Sequence, residues 1–276
     1  MNDFILENLK KLKEKKIPNP EIDLRVLLNY CKLYNKEIIL SNFSLEDINI
    51  EIFKSIFKRR LNNEPISKII NKKYFWKDDF FVNQFVLDPR PETELIIEES
   101  KNIYKNLKQN LKILDIGTGS GAIAISLAKE YLNSKILAID ISNQAIKVAK
   151  INIDKKKLEN RIKVKKTTID NIKDQFDLIV SNPPYLTRKE ITNLAIEIKH
   201  FEPIIALDGG LDGLNFYRDF AKKIPNLMKP NGYFIVEIGD NQFNECKDIF
   251  SKSLLKFKKK SLDLQKKDRI MVFSKI

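Results

Sequence analysis

The chain has 276 residues, of which 43% are hydrophobic and 32% charged, the balance of a soluble globular protein with one large domain or two. No uninterrupted apolar run approaches the ~20 residues needed to cross a bilayer, and MNDFILENLKKLKEKK lacks the apolar core of a signal peptide, so a cytoplasmic protein is expected. The net charge of +13 admits a nucleic-acid partner, but the lysines are scattered rather than gathered in a stripe, which favours a compositional origin.

Residues 1–70 read as a small all-helical domain. ILENLKKLKEKKI, PEIDLRVLLNYCKL and LEDINIEIFKSIFKRRL each repeat apolar residues at spacings of three and four. Pro18 and Pro20 separate the first two helices, and Asn19 is placed to cap the second. Ser44, ahead of Leu45-Glu46-Asp47, is an N-cap with acids in the first turn of a third helix. Residues 71–87 contain KKYFWKDDFFVNQFV, which alternates aromatic and polar residues and reads as a β-hairpin linker.

Residues 88–276 change character again. LKILDIG, AIAISLAKEYL, KILAIDIS, QAIKVAKINID, RIKVKK and FDLIVSNPPY alternate strand and helix patterns. Such βα units predict an α/β domain, a doubly wound parallel sheet with helices on both faces. GYFIVEIG and LLKFKKKS read as later strands, and DRIMVFSKI as a closing edge strand. Cys31 and Cys246 have no metal-ligand spacing, and the single histidine, His200, argues against a mechanism built on a histidine base.

Asp115-Ile116-Gly117-Thr118-Gly119-Ser120-Gly121 lies between a strand and a helix. Glycines there permit a tight turn and close approach of a ligand to free N–H groups at the helix start. Asp140 ends the next strand, 19 residues after Gly121, where an acid can accept hydrogen bonds from ribose hydroxyls. A structural turn and a capping acid are the alternatives. Together the two features point to an adenosine-containing cofactor, either NAD or S-adenosylmethionine.

Asn182-Pro183-Pro184-Tyr185 closes the strand FDLIVS at the same sheet edge. The prolines end the strand because they cannot donate to a ladder. The Asn182 side-chain oxygen and the Pro183 carbonyl are two acceptors that can converge on one planar NH₂, with the Tyr185 ring for it to lie against. An amide or aromatic amine nitrogen has a delocalised lone pair, and holding it in line with a methyl sulfonium is catalysis by orientation and electrostatics. The competing explanation is a rigid turn with Asn182 capping and Tyr185 packing.

DIGTGSG with NPPY resembles the amino- and amide-directed S-adenosylmethionine methyltransferases. DPRPETELII, HFEPIIALDGGLDGLNFYRDF, KPNGYFIVEIGDNQ and KKDRIMVF are similar to the peptide chain release factor glutamine methyltransferases. That resemblance implies a Rossmann-like methyltransferase domain whose last strand is antiparallel. It also implies methyl transfer to the glutamine of the Gly-Gly-Gln motif of class I release factors. Carried over by position, Gly117, Thr118, Gly119, Ser120, Gly121 and Asp140 hold the cofactor, and Asn182 also borders it. Asn182, Pro183, Pro184 and Tyr185 hold the glutamine amide, with Asn182, Pro183 and Tyr185 as the catalytic set. Thr168 is assigned to the adenine, although KKTTIDNI departs from the usual acid-containing pattern. PISKIINKKYFWKDDFF also departs, lacking the glycines of related hairpins. The helical domain is expected to grip the release factor away from the glutamine. A monomer with no membrane or nucleic-acid partner and no metal is expected. The alternatives are a methyltransferase acting on an exocyclic amine of DNA or RNA, or on a ribosomal-protein glutamine.

Overall fold

The computed structural model describes residues 3–275. They form two compact units, one made of the chain up to Lys72 together with Ala195–Phe201, the other of Lys73–Leu194 and the chain from Glu202 onward. Among the described residues no helix is long and apolar enough to cross a membrane.

The smaller unit contains α1 (Asp3–Glu14), α2 (Pro20–Tyr30), α3 (Ile50–Leu61) and the single turn α4 (Ile66–Ile69). Their apolar faces meet in a core that includes Ile5, Leu12, Leu24, Leu27, Leu28, Phe53 and Phe57. Asn19 occupies the N-cap of α2 without a capping hydrogen bond, and Pro20 pre-sets the first turn instead. The third helix is shorter than its apolar pattern. Ser44 and Asp47 do form a reciprocal capping box, but on a 3₁₀ turn, Leu45–Asp47. Ile48 is then extended and buried, paired with Lys32, so α3 starts afresh with Asn49 Oδ1 accepting the Ile52 N–H at 3.1 Å.

The larger unit opens with a hairpin, β1 (Lys73–Phe75) and β2 (Asp78–Phe80), joined by Trp76 and Lys77. Trp76 takes φ +56°, a conformation usually left to glycine or asparagine. Its N–H donates to Glu94 Oε1 at 2.7 Å and its indole N–H to Glu130 Oε1 at 2.8 Å, which offsets the absent glycine. Asp78 accepts from Lys129 and Lys156, so the hairpin is fastened to the large unit rather than standing apart as a linker. Then follow α5 (Glu94–Ile103), β3 (Lys112–Ile116), α6 (Ala122–Glu130), β4 (Lys135–Asp140), α7 (Asn143–Lys155), β5 (Ile162–Lys166), β6 (Phe176–Ser181) and α8 (Arg188–Thr192).

At this point the chain enters the smaller unit as α9 (Ile196–Phe201). Buried Arg60 explains the membership. Its guanidinium donates to Asp23 Oδ2 and pairs with Glu197 Oε1, each at 2.7 Å, and to the Glu64 carbonyl at 3.1 Å. A basic residue in a helical stretch carries no sign of a partner so far along the chain, so the division read at residue 70 could not include it.

The chain ends with α10 (Asn215–Leu227), β7 (Met228–Glu237), α11 (Phe243–Ser251), β8 (Leu255–Leu262) and β9 (Asp268–Lys275). The strands order as β5-β4-β3-β6-β7-β9-β8, the first five parallel and β9 antiparallel to both its neighbours. Side chains alternate between two cores, Ile113, Leu178 and Ile235 on one face, Leu114, Ile179 and Phe234 on the other. The last strand is not an edge. β9 pairs with β7 on one side and β8 on the other, with Ile270 to Phe273 buried, and the edge falls to β8, whose exposed Lys256, Lys258 and Lys260 deter further pairing.

Candidate active site

Strands β4, β3 and β6 are adjacent and parallel, so the loops leaving their carboxyl ends share one sheet edge. Between β3 and β6 the strand order reverses, the place where open α/β sheets bind ligands. A cavity of about 330 Å³ lies there, walled by Gly117, Gly119, Asp140, Thr168, Asn182 and Pro184. Its apolar side is made by residues that include Val86, Ile141, Ile169, Phe216 and Phe220.

The glycine loop divides its labour. Gly117 and Gly119 have φ +74° and +56°, and a Cβ on Gly117 would meet nothing within 4 Å, so open space lies over the backbone where a ligand can approach. Thr118, Ser120 and Gly121 do not reach the cavity wall. Thr118 Oγ1 donates to Asp115 Oδ2 at 2.6 Å, the Ser120 carbonyl accepts from Asn152 Nδ2 at 2.8 Å, and Gly121 opens α6. Asp140 Oδ2 accepts the Gly119 N–H at 3.0 Å and Oδ1 the Ser142 N–H at 2.8 Å. Each oxygen retains a lone pair for a further donor, which suits a pair of vicinal hydroxyls. Burial pushes the Asp140 carboxyl up, and these backbone donors draw it back. Fully buried Asp115, quoted within the motif but given no role there, has its carboxyl pushed up to about 7 by burial and leaves Oδ1 without a hydrogen bond among the described residues.

Thr168 stands on the cavity wall beside Asp170, the acid of KKTTIDNI, whose carboxylate is held by Lys223 at 2.6 Å. Phe85 to Leu87, which the sequence assigned to a linker, also line the cavity.

At the end of β6, Asn182 and Pro184 face the cavity, whereas Pro183 is buried and Tyr185 sits behind the wall. Asn182 Nδ2 donates to Thr93 Oγ1 at 2.9 Å, and Thr93 donates in turn to Glu237 Oε2 at 2.6 Å. The Tyr185 hydroxyl approaches Glu237 Oε1 at 3.4 Å, and burial pushes its phenol well above the usual range. Neither Thr93 nor Glu237 was assigned from the sequence. Glu237 left a signal, an acid inside the apolar run FIVEIG, where a buried charge demands partners.

The DGGLDG loop clamps Tyr185. Its carbonyl accepts from Gln242 Nε2 at 2.9 Å, and Leu186 pairs with Asp208. A Cβ on Gly213 would lie 2.4 Å from the Tyr185 carbonyl oxygen, with φ at +76° as well. Gly213→Ala is therefore expected to cost on the order of 2–4 kcal/mol and to lower the melting temperature by roughly 5–10 °C. A thermal melt indistinguishable from that of the unaltered chain would refute the clamp. Glu202 of HFEP, also buried, pairs with Arg90 of DPRPETE, tying two stretches whose sequence gave no reason to join them.

Residues 107–269 match the family model described as a methyltransferase domain. The release factor glutamine methyltransferase of Caulobacter vibrioides is 36% identical, over 95% of this chain and 92% of that protein. The chain belongs to the release factor glutamine methyltransferase family. A bifunctional methyltransferase of Rickettsia typhi is 38% identical over 96% of this chain but 55% of its own length, so the chain spans about half of that curated relative. The solved hMettl16 catalytic domain in complex with MAT2A 3'UTR hairpin 6 aligns with a TM-score of 0.55 at 16% identity, over 71% of this chain and 74% of that one, a likeness of fold alone. Within this family member, the matched methyltransferase domain contains the glycine loop, Asp140, Asn182 and Glu237. Thr93 and Arg90, which reach into the same neighbourhood, lie ahead of it.

Proposed function

We propose that the chain transfers a methyl group from S-adenosylmethionine to the side-chain amide nitrogen of the glutamine in the Gly-Gly-Gln motif of class I release factors. The observation that carries this reading is Asn182 on the cavity wall, its amide nitrogen committed to Thr93 and its oxygen left for a donor. Membership of the release factor glutamine methyltransferase family supports the choice of substrate.

S-adenosylmethionine, when bound, supplies a sulfonium methyl as the electrophile. Gly117 and Gly119 would let the backbone come close to it, and Asp140, on the same cavity wall, would accept from the ribose hydroxyls. Thr118, Ser120 and Gly121 keep the loop in shape, and Thr168, on the cavity wall, would hold the adenine. Asn182 Oδ1 and the Pro183 carbonyl accept hydrogen bonds from the glutamine NH₂, fixing its plane and drawing electron density toward nitrogen. Pro184 stiffens the turn, and Tyr185 supports the corner from behind the wall, its hydroxyl turned toward Glu237. No group of this chain has to remove a proton beforehand, because orientation and a dry, preorganised surrounding carry the rate.

We assign the helical unit to gripping the release factor away from the glutamine. The test offers labelled S-adenosylmethionine with whole release factor, a short Gly-Gly-Gln peptide, ribosomal proteins, and DNA or rRNA. Label is expected in the release factor, and more readily in the whole factor than in the peptide. Label in nucleic acid or ribosomal protein alone would overturn the substrate, and equal use of peptide and factor would remove the role of the helical unit.

A further inference from the structure

We infer that Thr93 and Glu237 are positioning residues that fix which end of the Asn182 amide meets the substrate, so that the site presents an acceptor to an NH₂-bearing side chain. This deepens the amide-methylation reading and rests on it.

The argument is a count of hydrogens. An ionised carboxylate only accepts, and a threonine hydroxyl has one hydrogen to give. Thr93 gives it to Glu237 Oε2 at 2.6 Å, so Thr93 Oγ1 can only accept from its other neighbour. That neighbour is Asn182, which must therefore offer Nδ2, and does so at 2.9 Å. Asn182 Oδ1 is what remains for the cavity that this residue lines. The assignment follows from the relay itself and not from telling oxygen from nitrogen in the amide. Were the Thr93 hydrogen to point at Asn182, the amide would turn over and set NH₂ against NH₂, two donors with nothing between them.

The direction of the relay is set by Glu237. It is fully buried at the carboxyl end of β7, in a run that is otherwise apolar. An apolar residue would bury there at less cost, and a local conflict of this kind is characteristic of functional sites. Thr93 and Glu92 face it from the turn before α5, Tyr185 from the loop after β6, and Arg269 from β9. Tyr217 of α10 donates to its backbone carbonyl at 3.1 Å. The Arg269 guanidinium is itself occupied by Asp263 and the Ile238 carbonyl.

Burial pushes the Glu237 carboxyl up to about 7, Thr93, Arg269 and Tyr185 draw it down, and Glu92 adds to the rise. A proton on Oε2 would be donated to Thr93 and would reverse the relay. The ionised form is the active one, so activity is present above this value and lost as pH falls through it.

The experiment measures kcat against pH for the full chain with saturating S-adenosylmethionine and release factor. Thr93→Val is expected to lower kcat roughly 30-fold or more with the KM for S-adenosylmethionine within about threefold, and Thr93→Ser to restore kcat to within about threefold of the original. The unaltered enzyme is expected to lose about tenfold per pH unit below about pH 7, and Glu237→Gln to flatten that limb. A Thr93→Val enzyme with full kcat, or an acidic limb that persists in Glu237→Gln, overturns the inference. Should Thr93→Val fail to fold, Thr93→Ala takes its place, and full kcat in that variant overturns the inference as well. An unaltered chain that methylates no release-factor glutamine is a failure of the underlying reading, visible before any variant is compared, and takes the inference with it.

Discussion

Asn182→Ala is expected to lower the methylation rate by roughly 10²–10³-fold, about 2.7–4 kcal/mol of transition-state stabilisation, with cofactor affinity changed by no more than about threefold. In the proposed reaction the amide oxygen is the acceptor that meets the attacking nitrogen, where positive charge develops. Its removal leaves the Gly117, Gly119 and Asp140 side of the cavity in place, because Asn182 is bonded to Thr93 while Gly119 is bonded to Asp140. The check is single-turnover kinetics beside equilibrium binding of S-adenosylmethionine. Equal losses in rate and in cofactor binding would contradict the role given to Asn182.

Asp140→Ala is expected to show the opposite pattern. Hydrogen bonds to a charged acceptor contribute about 1.5–3 kcal/mol, so cofactor binding should weaken by roughly 10–100-fold. The rate at saturating cofactor should fall far less, because Asp140 is bonded to Gly119 and Ser142 whereas Asn182 is bonded to Thr93. Part of the loss is indirect. The Gly119 and Ser142 N–H groups both lose their acceptor, and the loop that Gly119 shapes becomes looser. Asp140→Asn, which keeps one carbonyl oxygen, is expected to fall between the two in calorimetric titration. An Asp140→Ala chain that binds S-adenosylmethionine normally would remove Asp140 from the cofactor site.

How much of this was legible in the sequence varied with the range of the interaction. The sheet and the glycine loop were legible because each βα unit states its own period and its own turn chemistry within a few residues. The Asn182 corner was legible because two prolines after a buried strand admit few conformations. The order of the last two strands was not, since β8 and β9 both read as strands and only their pairing decides which is covered. The third helix was overextended because helical periodicity continues through Ile48, whose burial and pairing with Lys32 are tertiary effects. The relay from Asn182 through Thr93 to Glu237 joins residues 89 and 144 positions apart, and the excursion of Ala195–Phe201 depends on Arg60. Local pattern carries no record of contacts at such distances. It marks only the unusual residue, as Glu237 marks the middle of FIVEIG.

The most direct measurement is tandem mass spectrometry of the Gly-Gly-Gln peptide from a class I release factor incubated with S-adenosylmethionine, with and without this chain. The account predicts one added methyl, located on the glutamine side-chain nitrogen and present only with the chain. An unmodified glutamine, or a methyl placed on any other residue, would contradict it.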